Sequence, residues 1–520
     1  MKATQYCLWL KIVILSLLCS LNIFLFIKSL GINYQHELAR EHTRFRQELP
    51  TMDSWINSPF GKLKSYLFNV TNAEAFLNGT DERLKLEQVG PIVYYIQGYI
   101  DMLERTESSI TFRKHRYREV KFLPEESVSA DILNRTITLP NMILLGSAAK
   151  FNQINSYVRF AFNAVTLHEP IFRTESIYYF LWELSSPGLK AISNVVPFIA
   201  SNCGTLYNAL TEKEEVYKLN IGPQNGIENF FRIDTMNGQN IMKQQESRKR
   251  GLSDEELEKC PVNAHGAFDN SLFPPYLKKD TKLEIVAAES CRILPLRYQR
   301  EQDYDGFRGY RYSLLEEGET PSCLNTTYGI GLPKGMFDVS QCVINEAPSV
   351  FSGPHFYGSS YNWSEHYEGL NPNPEEHEPY ILIEPTTGIP ITEKYRFQSN
   401  IPMPNMRGFN RGLTRFSNMM LPTFWYEFDM GELPGIVKFV IHFNVYVTPI
   451  LQPILMSLYV ILALWSALKL VSLLFNCSYG DIFRRLCCCG SGTSNVLLQT
   501  TFPQNAETRR DVTPFDGTVK

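Results

Sequence analysis

The residues best suited by type and spacing to do chemistry are Glu375-Glu376-His377-Glu378, the basic run Ser247-Arg248-Lys249-Arg250 and eleven cysteines. Three carboxylates around an imidazole could hold a divalent cation or exchange protons. Asn371-Pro372-Asn373-Pro374 before them and Pro379 after them are turn residues, so a solvated surface loop is expected. The basic run could be a protease site or an anion patch. Beside Ser253-Asp254-Glu255-Glu256 it reads as a charged loop in water. The chain has no G-x-S-x-G elbow, no H-E-x-x-H and no P-loop. An enzyme is therefore not expected, nor is a cofactor or a metal.

The cysteines fall into three groups that follow the chain's layout. Cys7 and Cys19 lie in or beside an apolar segment running from Cys7 to about Leu30. Cys203, Cys260, Cys291, Cys323 and Cys342 lie in the long middle. Cys477, Cys487, Cys488 and Cys489 follow a second apolar segment, from about Val447 to Phe475. Each segment supplies the roughly 20 apolar residues that a helix needs to cross a bilayer. A cleaved signal peptide is the rival reading of the first, but its apolar stretch exceeds a signal core and Ile27 to Gly31 makes a poor cleavage site.

The expected layout is a cytoplasmic N-terminus over 1–6, a span over 7–30, a lumenal or extracellular domain over 31–446, a span over 447–475 and a cytoplasmic tail over 476–520. Lys2, Lys11, Lys469, Arg484 and Arg485 favour cytoplasmic termini. The sequons at Asn69, Asn78, Asn134, Asn325 and Asn362 all fall between the spans, where glycosylation is expected, whereas that at Asn476 should stay bare. An oxidising exterior favours pairing among the five outer cysteines, with Cys203 left over. Cys7 and the triplet Cys487-Cys488-Cys489 suit juxtamembrane palmitoylation, with a zinc site as the competing reading of the triplet.

A net charge of −4 over 520 residues calls for no nucleic acid or polyanionic partner. Runs such as Ile92-Val93-Tyr94-Tyr95-Ile96 and Ile110-Thr111-Phe112-Arg113 alternate as strands do. Residues 140–197 look helical, through Ala148, Phe151, Ile154, Val158 and Phe162 and again through Ile177, Phe180, Leu181 and Leu184. The expected fold is α+β, an antiparallel β body carrying a helical insertion. The aromatics of that insertion, Phe151, Phe160, Phe172, Phe180 and Trp182, could be plain core or the mouth of an apolar ligand site; periodicity does not separate the two.

Several runs together resemble the class B scavenger receptor family, which includes the fatty-acid translocase, the lysosomal integral membrane protein and the sensory neuron membrane proteins. They are Phe68-Asn69-Val70-Thr71-Asn72 with Phe76-Leu77-Asn78-Gly79, Glu87-Gln88-Val89-Gly90-Pro91, Thr138-Leu139-Pro140-Asn141 and Phe273-Pro274-Pro275-Tyr276. Gly369-Leu370-Asn371-Pro372-Asn373 and Ile383-Glu384-Pro385-Thr386-Thr387-Gly388 complete the set.

The resemblance implies a β-barrel-like ectodomain with an apical helical bundle and an internal apolar tunnel leading towards the bilayer. It implies disulfides Cys260–Cys323 and Cys291–Cys342, and lipid or lipoprotein ligands such as fatty acids, sterols or carotenoids. Where one receptor type carries apical lysines, this chain has Thr166-Leu167-His168-Glu169-Pro170, so binding through such a patch is not implied. The expected function is uptake of hydrophobic ligands at the plasma membrane, with an endosomal or lysosomal site as the alternative. The rival functions are recognition of apoptotic cells or microbes and binding of a lysosomal hydrolase. Self-association is compatible with the sequence.

Overall fold

A computed structural model describes residues 2–46, 50–57, 59–152, 156–185, 204–210, 214–240, 263–288, 290–315, 332–343 and 347–475. Cys203, Cys260, Cys323, Asn325, Ser247 to Arg250 and Cys487 to Cys489 lie outside these residues. The chain divides into two compact units, one holding residues up to 32 and from 453 onward, the other spanning residues 33–452.

The first unit contains α1 (Lys2–Leu30) and most of the helix Thr448–Phe475. Both are apolar nearly all round and long enough to cross a membrane, with mean hydropathies of 2.5 and 2.1 over Tyr6–Leu30 and Gly435–Phe475. Two of their polar side chains are satisfied on their own backbones, Asn22 by the Leu18 carbonyl and Ser466 by that of Leu462. That local satisfaction is what a hydrocarbon solvent requires.

The second unit is a 14-stranded, almost wholly antiparallel sheet with short helices around it. Its strands are β1 (Pro59–Val70), β2 (Leu84–Arg105), β3 (Ser109–Phe122), β6 (Glu215–Asn220), β7 (Ile233–Met236), β8 (Leu283–Ala287), β9 (Arg292–Tyr304) and β10 (Phe307–Ser313). β11 (Met336–Asp338), β12 (Val350–Ser352), β13 (Tyr367–Glu368), β14 (Tyr380–Ile383), β15 (Pro390–Met403) and β16 (Met419–Asp429) complete it. The spatial order is β7-β6-β3-β2-β1-β16-β15-β14-β10-β9-β8. The two outermost strands share no ladder; Phe268 makes a single bridge to Arg232 beside β7 and another to Ile285 in β8. β2 bends through two register shifts against β3, near Tyr99 and Glu104, and such bulges sharpen local twist.

Short helices join these strands. α2 (Tyr34–Thr43) is capped by the Asn33 side chain, and α3 (Pro50–Ile56) and α4 (Ala73–Asn78) follow. α5 (Met142–Phe151) and α6 (Ser156–Val165) lie between the strands of a separate hairpin, β4 (Thr136–Pro140) and β5 (Phe172–Ser176). Asn141 explains the Leu139-Pro140-Asn141 step. Its Oδ1 accepts the Leu144 amide to cap α5, while its Nδ2 donates to the Pro170 carbonyl at 2.8 Å, so one buried side chain starts the helix and fixes its return.

One stretch of the region expected to be helical is a strand. The chain forms β5 over Phe172–Ser176 and then turns helical at Ile177, with π-helical geometry over Tyr179–Glu183. The cause is tertiary: β4 captures β5 in a ladder, and Arg173 binds Glu169 at 2.7 Å and the Ser185 carbonyl at 2.9 Å, closing the segment on itself.

Two distant motifs form one joint. The buried Glu384 carboxylate accepts hydrogen bonds from the Thr386 and Thr387 amides and the Thr387 hydroxyl, folding 384–388 into a tight loop. The Phe273 amide donates to Gly388 and that of Leu277 to Pro385, docking the Phe273-Pro274-Pro275 corner on it. Gly388 sits at φ +74°, and a Cβ there would fall 2.1 Å from the Phe273 carbonyl oxygen. Gly388→Ala is expected to destabilise the protein by roughly 2–3 kcal/mol through left-handed strain and the broken joint, read as a lowered thermal unfolding midpoint of the detergent-solubilised chain.

Candidate functional site

Period-two alternation gives the central strands two unlike faces. On one face Lys64, Lys394, Arg396, Glu427 and Asp429 meet across β1, β15 and β16. Lys64 Nζ lies 2.7 Å from Glu427 Oε1, Arg396 Nε 2.5 Å from Glu427 Oε2, and Lys394 pairs with Asp429. Desolvation pushes the Glu427 carboxyl up, but Arg396, Lys394 and Lys64 outweigh it and hold its pKa below the usual value. On the opposite face of the same strands stand Leu63, Tyr395, Phe397, Tyr426 and Phe428, and this face belongs to the core.

The segment 354–378 covers the charged face. Glu375 and Glu376 are exposed, as expected of a solvated loop, but His377 and Glu378 are buried. The loop reading fails for these two because they lie against the charged face. Glu378 pairs with Arg311 at 2.7 Å, and Arg396 Nη1 donates to the Glu375 and Glu378 carbonyls. His377 stacks on His355 with ring centres 4.5 Å apart. Gln88 Oε1 lies 2.6 Å from His355 Nε2 and accepts the Trp425 indole N–H at 2.8 Å, while His355 Nδ1 accepts the Asn371 amide. These histidines are architectural. Among the described residues no group of three or more His, Cys, Asp and Glu is placed to hold a metal.

The apolar face opens on a chamber of about 240 Å³. Its walls come from β2 and β3 (Tyr99, Ile100, Lys114, His115), β8 (Ile285, Val286, Ala287), β15 and β16 (Glu393, Tyr395, Phe428) and the 269–272 turn. It is completed by His42 of α2, Ser54, Trp55 and Ile56 of α3, and Leu433, Pro434 and Val437 around the helix Gly435–His442. The volume lies just below the roughly 300–1,000 Å³ usual for small-molecule sites. Mostly hydrocarbon walls with a few polar atoms suit a lipid segment. Desolvation lowers the His42 imidazole to about 4, so it is uncharged near neutral pH.

The five aromatics proposed for a ligand mouth do not line this chamber. Phe151 and Phe180 are core residues, Phe172 packs on Phe416, and the Trp182 indole donates to Tyr94 Oη at 2.9 Å. Phe160 instead projects into solvent at 77% exposure, beside Tyr157 at 84% on the same face of α6. The sequence reading missed the chamber residues Trp55, Lys114 and Asn270. Their segments are far apart in the chain, and no local pattern marks them.

A family model described as the CD36 family matches residues 11–474. The chain belongs to the CD36 family. It is 27% identical over 457 residues to rat lysosome membrane protein 2, covering 85% of this chain and 87% of that protein. It is 24% identical over 429 residues to rat scavenger receptor class B member 1, covering 80% and 78% respectively. Human lysosome membrane protein 2 is 26% identical over 373 residues, covering 70% of this chain and 74% of the relative. Members of the CD36 family are receptors, not enzymes, and this one is a membrane protein with two apolar helices of spanning length.

In this CD36-family chain Cys291 and Cys342 form a disulfide with Cα atoms 5.7 Å apart; Cys7 is exposed. Asn78, Asn134 and Asn362 are exposed, whereas Asn69 is half-buried, accepting the Thr138 amide and donating to Glu87. Glycopeptide mapping is expected to find Asn78, Asn134 and Asn362 occupied and Asn69 sparsely so.

The histidine pair carries a pH prediction. Burial lowers His355 to about 3, helped by the facing His377, and His377 to about 4, helped by Arg396. An unfolded chain binds protons below about pH 6.5 that the folded pair refuses. The stability these groups contribute is therefore complete above that pH and is lost as pH falls towards 4. Between pH 7.5 and 5 the loss should reach about 1–2 kcal/mol per histidine, and thermal unfolding of His377→Gln should show a flatter pH dependence than the parent.

Proposed function

We propose that this chain is a class B scavenger receptor that captures hydrophobic ligands and passes them through its interior to the membrane. The observation that carries the reading is the chamber on the apolar face of the sheet. It is walled in part by α2, α3 and the helix Gly435–His442, the elements that adjoin the two apolar helices in sequence. The names of the relatives, a class B scavenger receptor and a lysosome membrane protein, support it.

The physics favours enclosure. Each methylene moved from water to an apolar surrounding gains about 0.8 kcal/mol. A long-chain lipid therefore leaves a carrier for water slowly, and a sheltered path bypasses that step without covalent chemistry. Anchoring by spans over 7–30 and 447–475, with both termini cytoplasmic, would keep the outlet at the bilayer. Palmitoylation at Cys7 and Cys487 to Cys489 and a disulfide Cys260–Cys323 belong to the same proposal. The site of action is the plasma membrane.

A second reading, docking of a protein or particle, is favoured by one observation: the exposed aromatic pair Tyr157 and Phe160 on α6. The two readings separate experimentally. Ala287→Phe, which projects a ring into the chamber wall, is expected to cut uptake of a labelled lipid at least about threefold at unchanged surface expression, while Tyr157→Ser with Phe160→Ser leaves it intact. The reverse pattern would favour docking.

A further inference from the structure

A ladder of aromatic rings climbs out of the cover over the charged face and ends beside a sequon. Its foot is the buried Tyr367, whose hydroxyl donates to the Met420 carbonyl at 2.7 Å. Phe356 packs on Tyr367 with ring centres 6.0 Å apart, and Trp363 stacks on Phe356 at 4.5 Å. Tyr361 closes on Trp363 at 4.5 Å and forms the top, at 41% exposure. The polar atoms of these rings are already engaged. The Trp363 indole donates to Ser359 Oγ at 3.0 Å, and Tyr361 Oη lies 3.1 Å from His366 Nε2. Tyr361 therefore presents a ring held in place by its neighbours, with its hydroxyl bonded and its apolar surface open to gain from being covered.

Asn362 stands between the two uppermost rings in the chain, and its side chain is divided by atom. Oδ1 accepts the Ser364 amide at 3.2 Å and the Ser364 hydroxyl at 2.8 Å, while Nδ2 makes no hydrogen bond among the described residues. Nδ2 is the atom through which a sugar is joined to asparagine. The loop is braced on the start of β2: Arg83 donates to the Ser364 carbonyl at 3.2 Å and pairs with Glu368 at 2.6 Å, and the Leu84 amide donates to the His366 carbonyl at 3.0 Å. A glycan on Asn362 is tethered one residue from Tyr361, so even a weak contact between them is intramolecular and well populated. One face of N-acetylglucosamine, the first sugar of an N-glycan, is made of C–H groups, and their slightly positive hydrogens suit the negative face of an aromatic ring. The other exposed sequons lack such a neighbour: Asn78 lies between Leu77 and Gly79, and Asn134 between Leu133 and Arg135.

We propose that the glycan on Asn362 is a working part of this fold: its first N-acetylglucosamine packs on Tyr361 as the last rung of the ladder and clamps residues 359–368, the outer part of the cover over the charged face. The proposal is independent of what the chamber binds. Glycans on Asn78 and Asn134 have no ring beside them in the chain and only hydrate the surface.

The test is hydrogen exchange on the full-length glycoprotein in detergent, read at the amides of 361–368, with intact glycopeptides reporting occupancy of Asn362. Asn362→Asp keeps the oxygen that receives Ser364 and loses the nitrogen that carries the sugar. Exchange in the loop should then rise about threefold, the scale of one weak ring contact. If that variant fails to fold, removing the whole glycan from the folded parent with an amidase leaves the same side chain. Trimming the parent's glycans to a single N-acetylglucosamine should leave exchange unchanged. Tyr361→Ser should raise exchange about threefold in the glycosylated parent and add nothing in Asn362→Asp, whereas Tyr361→Phe, which keeps the ring, should retain the sugar's effect. An unoccupied Asn362, equal exchange with and without the sugar, loosening on trimming, or equal losses from Tyr361→Ser in both backgrounds would overturn the proposal.

Discussion

Everything in the large unit depends on the alternation of side chains along β1, β15 and β16. Lys64, Arg396 and Glu427 point one way, and Leu63, Phe397 and Tyr426 the other. A slip of one residue in any of these strands would bring ammonium and carboxylate groups into the apolar interior and send aromatic rings into the charged layer. The registers Lys64 to Glu427 and Arg396 to Glu427 make such a slip costly, because each removes a buried ion from its partner. The charged layer thus enforces the geometry that leaves the other face free to be hydrocarbon.

Most of the polar chemistry in this protein serves joints and covers. His355 and His377 seal the charged face, Gln88 ties them to Trp425, Glu384 folds the loop that receives Phe273, and Asn141 starts α5. Groups that in other settings bind metals or move protons are saturated by backbone amides and neighbouring side chains.

The family and the mixed fold were legible in the sequence because hydropathy and strand alternation are local signals and because several short motifs occur in a fixed order. Why those motifs hold their residues became visible only in three dimensions. Gln88 meets Trp425, and Phe273 meets Gly388, across separations that no window spans. A strand interrupts the region expected to be helical for a related reason: β4 captures Phe172–Ser176 in a ladder before the chain turns helical at Ile177. The chamber left no trace in composition. Its walls combine Trp55, Asn270 and Val437, each unremarkable among its neighbours in the chain.

The large unit also begins and ends at one place. The Tyr34 amide donates to Gln452 Oε1 at 3.1 Å, and Gln35 Nε2 donates to the Asn444 carbonyl at 3.0 Å. Some four hundred residues are therefore a closed excursion whose departure and return are already clasped. Such a unit is a cassette: it could be excised and set between another pair of anchors without unpicking its own interior, and the anchors could diverge in sequence while the clasp preserved what they hold.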